Sequence, residues 1–282
     1  MRGKNNHEKR RRTARRRGFS LVELMTVIAV LGLLMSIIVP ALGKASVSAK
    51  VARTKTLFDA IAKGIEMYRS DGTLENDYPP SRIGDPNNIT VEGAQTLLWG
   101  LAGSDLLGTP GFGSDPNEGP YAHGYVCSVC NSASPPSTIH LQSLHYVDGT
   151  GKPVHSRRGP FVDVSKAVVI LSGTNIPPVL TDDFGQAILY FKANRTQTGL
   201  ARYNRGDNAS FLGAALNPAT DPNAFMQFIW NTQIGTPNVL NNTLYRPHNY
   251  DSYILISAGP DKKYGTADDI TNYPLDKTRN VK

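Results

Sequence analysis

Residues Arg15–Pro40 read RRRGFSLVELMTVIAVLGLLMSIIVP, and the rest of the fold is organised around what this stretch does. Three arginines run into Gly18, and from Phe19 to Leu42 the only charged residue is Glu23. Leu24 to Val39 carries no charge, and as an α-helix it rises about 24 Å, so with its flanks it crosses, or nearly crosses, a hydrocarbon core of about 30 Å. The basic residues before it should stay on the cytoplasmic side, which leaves the rest of the chain outside. An ordinary secretory signal would end in a small-x-small cleavage site. Ala45 to Ser48 offers only a forced version of one, and Pro40 and the helical pattern beyond it argue against that reading. A carboxylate inside such a segment costs about 2.5 to 3.5 kcal/mol on insertion scales unless a cation meets it, so Glu23 needs a reason.

Moving outward, Val47, Val51, Thr54, Phe58, Ile61, Ile65 and Tyr68 follow one another at spacings of four and three, which places them on one stripe of a helix. Lys44, Lys50, Arg53, Lys55, Asp59, Lys63 and Glu66 occupy the other faces. Phe19 to Tyr68 therefore predicts one helix of about 75 Å, apolar all round in its first half and amphipathic in its second. Pro40 lacks an amide hydrogen and should bend or loosen it near the join. The charge balance separates the same parts. Residues 1–18 hold nine basic side chains against Glu8, and removing that +8 from the total of +7 leaves −1 for everything after Gly18. No nucleic acid is expected as a partner, because the folded part lacks the basic surplus that phosphate binding needs.

Farther on, Tyr78-Pro79-Pro80 ends the helical region. Glu92–Leu101 (EGAQTLLWGL) predicts a short amphipathic helix and Asn223–Trp230 another, while Ala187–Ala193 and Tyr250–Ser257 are the best strands. Gly103–Gly119 reads as loop, and Ser132–Arg158 has little periodicity. The fold class is α+β, a long N-terminal helix packed on a small antiparallel sheet. Three parts follow: a basic leader at 1–18, a transmembrane or filament-core helix at 19–42, and a globular unit at 43–282 that includes the amphipathic half of the helix. A plain anchor holding an enzyme is the competing reading. The chain has no Gly-rich phosphate loop, serine-hydrolase elbow or HExxH on which to place such chemistry.

The order of basic run, Gly18, Phe19, Glu23 and apolar run resembles the prepilin peptidase recognition site of type IV pilins and type II secretion pseudopilins. Pro40 also stands where that family commonly has a helix-loosening proline. The resemblance implies a pilin-like fold, cleavage after Gly18 by prepilin peptidase and methylation of the new amine on Phe19. It implies as partners identical and related subunits in a filament and an inner-membrane assembly platform. The location implied is a single pass through the inner membrane, with leader cytoplasmic and globular part periplasmic. It also supplies a reason for Glu23. The amine of Phe19 on an incoming subunit can lie beside Glu23 of a neighbour, and a misregistered subunit leaves a buried charge unpaired. Thr26 is read mainly as bonding back to its own helix.

Asp182-Asp183-Phe184-Gly185, leading into Ile188-Leu189-Tyr190, resembles the turn before a strand in the major, G-type pseudopilin, where its role is structural. Tyr250–Tyr273 (YDSYILISAGPDKKYGTADDITNY) resembles that pseudopilin's strand and calcium loop. Calcium takes six to eight oxygens. Asp261, Asp268 and Asp269 would supply carboxylates, and Ser257 with its neighbours carbonyls. The loop is not an EF-hand, since Lys262-Lys263 follow Asp261 and no glutamate closes a twelve-residue register, so a solvated acidic turn is the alternative.

The chain also departs from the family. The 282 residues less the eighteen of the leader exceed what a compact major pseudopilin needs. The excess falls at 78–179 and 195–249, readable as side decorations of a filament or a minor subunit's recognition surface. Cys127 and Cys130 lie in the first of these, in HGYVCSVC. They suit a disulfide, half of a zinc site completed by two of His123, His140 and His145, or a free or redox-active pair. His155 and His248 are read as ordinary polar residues. The function expected is a structural subunit of a periplasmic type II secretion pseudopilus. A type IV pilin for adhesion, motility or DNA uptake is the alternative, followed by a membrane-tethered enzyme or metal-binding module.

Overall fold

In a computed structural model the apolar-then-amphipathic pattern forms α1, an unbroken α-helix from Leu21 to Ser70. The structure describes residues 19–71, 76–84, 90–103, 106, 108–109, 158–163, 168–170, 179–217, 224–231 and 246–275. The chain divides into two compact units between Val47 and Ser48, and α1 contributes to both.

In the first unit, the α1 side chains from Leu21 to Val47 are exposed. Among the described residues α1 is the one helix with a stretch long and apolar enough to cross a membrane. Two of its hydroxyls bond back to the helix. Thr26 Oγ1 donates to the Glu23 carbonyl at 2.9 Å and Ser36 Oγ to the Leu33 carbonyl at 2.6 Å, which satisfies them inside an apolar surface. The helix continues across Pro40, whose missing N–H leaves the Ser36 carbonyl without its usual helical donor.

In the second unit, α1 buries Thr54, Phe58, Ile61, Ile65 and Tyr68 of the predicted stripe, together with Gly64, while Val51 is half-buried and Val47, in the first unit, is exposed. After it come β1 (Arg82–Gly84) and β2 (Thr90–Glu92), an antiparallel pair, then α2 (Gly93–Ala102). A second antiparallel pair follows, β3 (Val168–Ile170) with β4 (Val179–Thr181). A turn at Asp182–Gly185 leads into β5 (Leu189–Lys192). Residues 199–208 form two 3-10 turns, α3 (Ala209–Leu212) and α4 (Ala224–Ile229) come next, and β6 (Tyr253–Ser257) and β7 (Ile270–Thr271) end the described fold. β5, β6 and β7 make a three-stranded antiparallel sheet in that order, with Leu189 opposite Ile256 and Phe191 opposite Ile254.

The two-residue strand period sorts this sheet's side chains onto two faces. Tyr190, Tyr253 and Leu255 join Phe58, Ile61 and Ile65 of α1 and Leu97 and Trp99 of α2 in one apolar cluster. Leu189, Phe191, Ile254 and Ile256 enter a second cluster with Tyr203, Leu212, Phe225, Phe228 and Ile229. The described part of 195–249 therefore covers the second face of the sheet. All five residues of β6 are buried, and a strand with that pattern needs cover on both faces.

One correction concerns α2, expected to be amphipathic but found buried at all ten positions. Its polar residues are satisfied locally: the Glu92 N–H donates to Gln95 Oε1 at 2.9 Å, and Thr96 Oγ1 donates to the Gly93 carbonyl at 3.1 Å. Residues of 195–249 hold its first turn. Asn208 Oδ1 accepts from the Ala94 N–H at 2.8 Å, and the Glu92 carboxylate accepts from the N–H and hydroxyl of Ser210.

Candidate functional site: the helix start and an acidic loop

Two places carry the residues that the sequence marks out, one in each unit. At the start of α1 the chain enters the helix from Phe19 and Ser20, and the Leu24 N–H closes the first turn on the Ser20 carbonyl at 3.2 Å. Glu23 Oε2 accepts from the Ser20 N–H at 3.1 Å. Amides of a first helical turn lack intrahelical acceptors, and the helix dipole favours negative charge there, so Glu23 stabilises the helix start by its own position. The sequence reading missed this bond, although an acid three residues beyond a serine is the spacing that signals it. Gly18 lies outside the described residues, as do Cys127, Cys130, His123, His140, His145 and His155. His248 stacks on Tyr273, with ring centroids 4.5 Å apart and planes at 16°.

The acidic loop joins β6 to β7. Gly259, at φ +64°, lets the chain fold back so tightly that a Cβ there would meet the Asp268 carbonyl oxygen at 2.2 Å. The fold-back brings one carboxylate oxygen each of Asp261, Asp268 and Asp269 within 4.8 Å of one another. Backbone amides partly neutralise the cluster: Asp268 Oδ2 accepts from the Asp261 N–H at 3.0 Å and Asp269 Oδ2 from the Gly265 N–H at 2.7 Å. Thr266 Oγ1 lies 2.6 Å from Asp268 Oδ1 and 3.2 Å from Asp269 Oδ1, one hydroxyl between two carboxylates. Burial pushes the Asp269 carboxyl up to about 7, against the pull of the hydrogen bonds from Gly265 and Thr266, and the charge of Asp268 adds to the rise. Lys262 and Lys263 are exposed, and among the described residues neither forms an ion pair with the three acids.

Ser257 takes a different place. Its hydroxyl donates to Asp182 Oδ2 at 2.6 Å and so faces the turn before β5. Asp182 Oδ1 accepts from the Phe184 and Gln186 amides at 2.9 and 2.8 Å, and Gly185 supplies the positive φ of +83°. Asp182 is thus a buried post that shapes the turn and fastens it to the end of β6. Thr266 and Gly259, both needed for the loop's shape, were not singled out from the sequence.

The family model described as the prokaryotic N-terminal methylation motif matches residues 13–39, a span that contains Gly18, Phe19 and Glu23. Among curated proteins, type II secretion system core protein G of Pseudomonas aeruginosa is 36% identical over 67 residues, which is 24% of this chain and 45% of that protein. The match therefore spans less than half of that relative. No solved structure matches the chain. The resemblance to type IV pilins and pseudopilins that Arg15–Glu23 carries is borne out by both findings.

Proposed function

We propose that this chain is a structural subunit of the pseudopilus of a type II secretion system. The observation that carries the reading is a methylation motif continuous with a helix whose whole first unit exposes apolar side chains. Such a surface is stable in lipid before assembly and against neighbouring helices after it. Prepilin peptidase would cut after Gly18 and methylate Phe19, with the leader cytoplasmic and the second unit periplasmic. Identical and related subunits and the inner-membrane assembly platform are the partners, and the role is structural rather than catalytic. The likeness to the G protein favours secretion over a type IV pilus. Disrupting the gene should trap secreted enzymes in the periplasm and leave surface pili and twitching intact. Lost motility with normal secretion would decide for the pilus.

We also propose that the acidic loop binds calcium. Three clustered carboxylates are hard oxygen donors of the kind calcium selects, and a buried carboxyl as strained electrostatically as Asp269 favours a divalent cation beside it. The ion would fasten β7 to the end of β6, while Asp261, Asp268 and Asp269 hold it. Melting the full chain in detergent micelles tests this. Calcium at one hundred times its dissociation constant should add about 2.7 kcal/mol. Chelator should remove that gain, and Asp268→Ala should melt alike with and without calcium. A wild-type midpoint indifferent to calcium returns the loop to a solvated acidic turn.

A further inference from the structure

The described residues of 195–249 do more than cover the sheet. They form one wall of a solvent-open cleft of about 840 Å³ whose other wall comes from the segment around Asp77–Arg82. We propose that this cleft binds an acidic segment of a partner protein through its carboxylates.

Charge is the first argument. Arg82, Lys192, Arg195, Arg202 and Arg205 line the cleft against two acids, Asp77 and Asp207. That surplus of three is gathered in one cleft of a chain that carries −1 after Gly18. The lining acids are already engaged. Asp77 holds Lys192 at 2.8 Å and stands 3.7 Å from Arg195, and Asp207 accepts from the Ser81 hydroxyl. Arg205 is fixed in the wall by the Gly213 and Ala215 carbonyls at 2.6 and 2.7 Å.

Available donors are the second argument. Arg82 is exposed, with its guanidinium beside Gly206, where a Cβ would lie 3.3 Å from Nη1. Arg195 is half exposed at the rim. Arg202, mostly buried, lies 3.9 Å over the Tyr250 ring and pairs with Asp251 at 3.2 Å, so it adds positive charge to the wall rather than a free donor. Guanidinium forks match carboxylates in pairs of parallel hydrogen bonds, and Phe225 and Met226 add apolar lining for side chains between the acids. A continuous phosphate backbone fits less well, because it would run past Asp77 and Asp207 in the lining and Asp251 beside it.

The test is fluorescence anisotropy of a labelled, end-blocked hexaglutamate peptide with the full chain in neutral detergent micelles at low ionic strength. Saturable binding is expected, with Arg82→Gln and Arg195→Gln each weakening it about three- to tenfold and the double variant about ten- to a hundredfold. Both side chains are exposed, so the variants should melt like wild type, and Lys63→Gln on α1 should bind normally. Absence of saturable binding overturns the proposal, as does full binding by the double variant. A single-stranded oligonucleotide that binds more tightly and depends on the same two arginines overturns it in favour of nucleic acid.

Discussion

Glu23 answers to two demands with one carboxylate. Its hydrogen bond from Ser20 stabilises the start of α1, and a net gain of about 0.5 to 1.5 kcal/mol is typical of such a bond. That falls short of the roughly 2.5 to 3.5 kcal/mol that a buried acid costs on insertion scales, and under the proposed assembly a cation from a neighbouring subunit would offset the rest. Glu23→Gln separates the roles, since the amide oxygen can accept from Ser20 while the charge is gone. The variant should insert at least as well as wild type yet enter filaments poorly when co-expressed with tagged wild-type subunits. Recovery of both chains in equal proportion from sheared filaments would reduce Glu23 to a device of its own helix.

Among the elements, α2 and the Asp182–Gly185 turn each contain a glycine whose replacement separates crowding from backbone geometry. A Cβ on Gly93 would meet the Tyr190 carbonyl oxygen at 2.0 Å, so Gly93→Ala must push α2 off β5. Gly185 has φ +83° and nothing within 4 Å of the added carbon, so Gly185→Ala meets only the left-handed penalty of about 1 to 2 kcal/mol. Thermal melts should show a clearly larger loss at Gly93, more than about 2 kcal/mol. Equal losses would mean that α2 is free to shift. This element also marks how far local pattern could be read. α1, α4, β5 and β6 were legible because each carries its period or its apolar run within its own residues. Gln95 and Thr96 made α2 look half exposed, and only the structure shows them bonded within the helix's own first turn. Strands β1 to β4 and β7 have three residues or fewer, too short for a two-residue period to register. In the acidic loop the three aspartates were legible as chemistry, whereas Gly259 and Thr266 matter through a fold-back that no spacing reveals.

At the scale of the molecule, the hidden fact was which segment covers which face of the sheet, since nothing local in 195–249 names its destination. The consequence is a sheet buried on both sides and rich in tyrosine. Tyr190 and Tyr253 lie in the cluster shared with α1, and Tyr203, Tyr264 and Tyr273 in the cluster built with 195–249. Burial raises the phenol pKa of all five above the ordinary 10, and Tyr253 is pushed up to about 12. An acid whose folded pKa exceeds its unfolded value keeps its proton in the native state while the unfolded chain releases it. The stability it contributes is complete below about pH 10 and is lost as pH rises through the folded value. With tyrosines on both faces, the second unit should lose stability as pH rises above about 10 and then unfold cooperatively. Tyr253→Phe keeps the ring that packs edge-on against Tyr78, with centroids 5.3 Å apart, and removes one ionisation. Denaturant unfolding of the full chain in micelles at a series of pH values should therefore give a shallower alkaline decline for the variant than for wild type. Identical declines would place Tyr253 in contact with water in the folded state, which would be incompatible with a sheet covered on both faces.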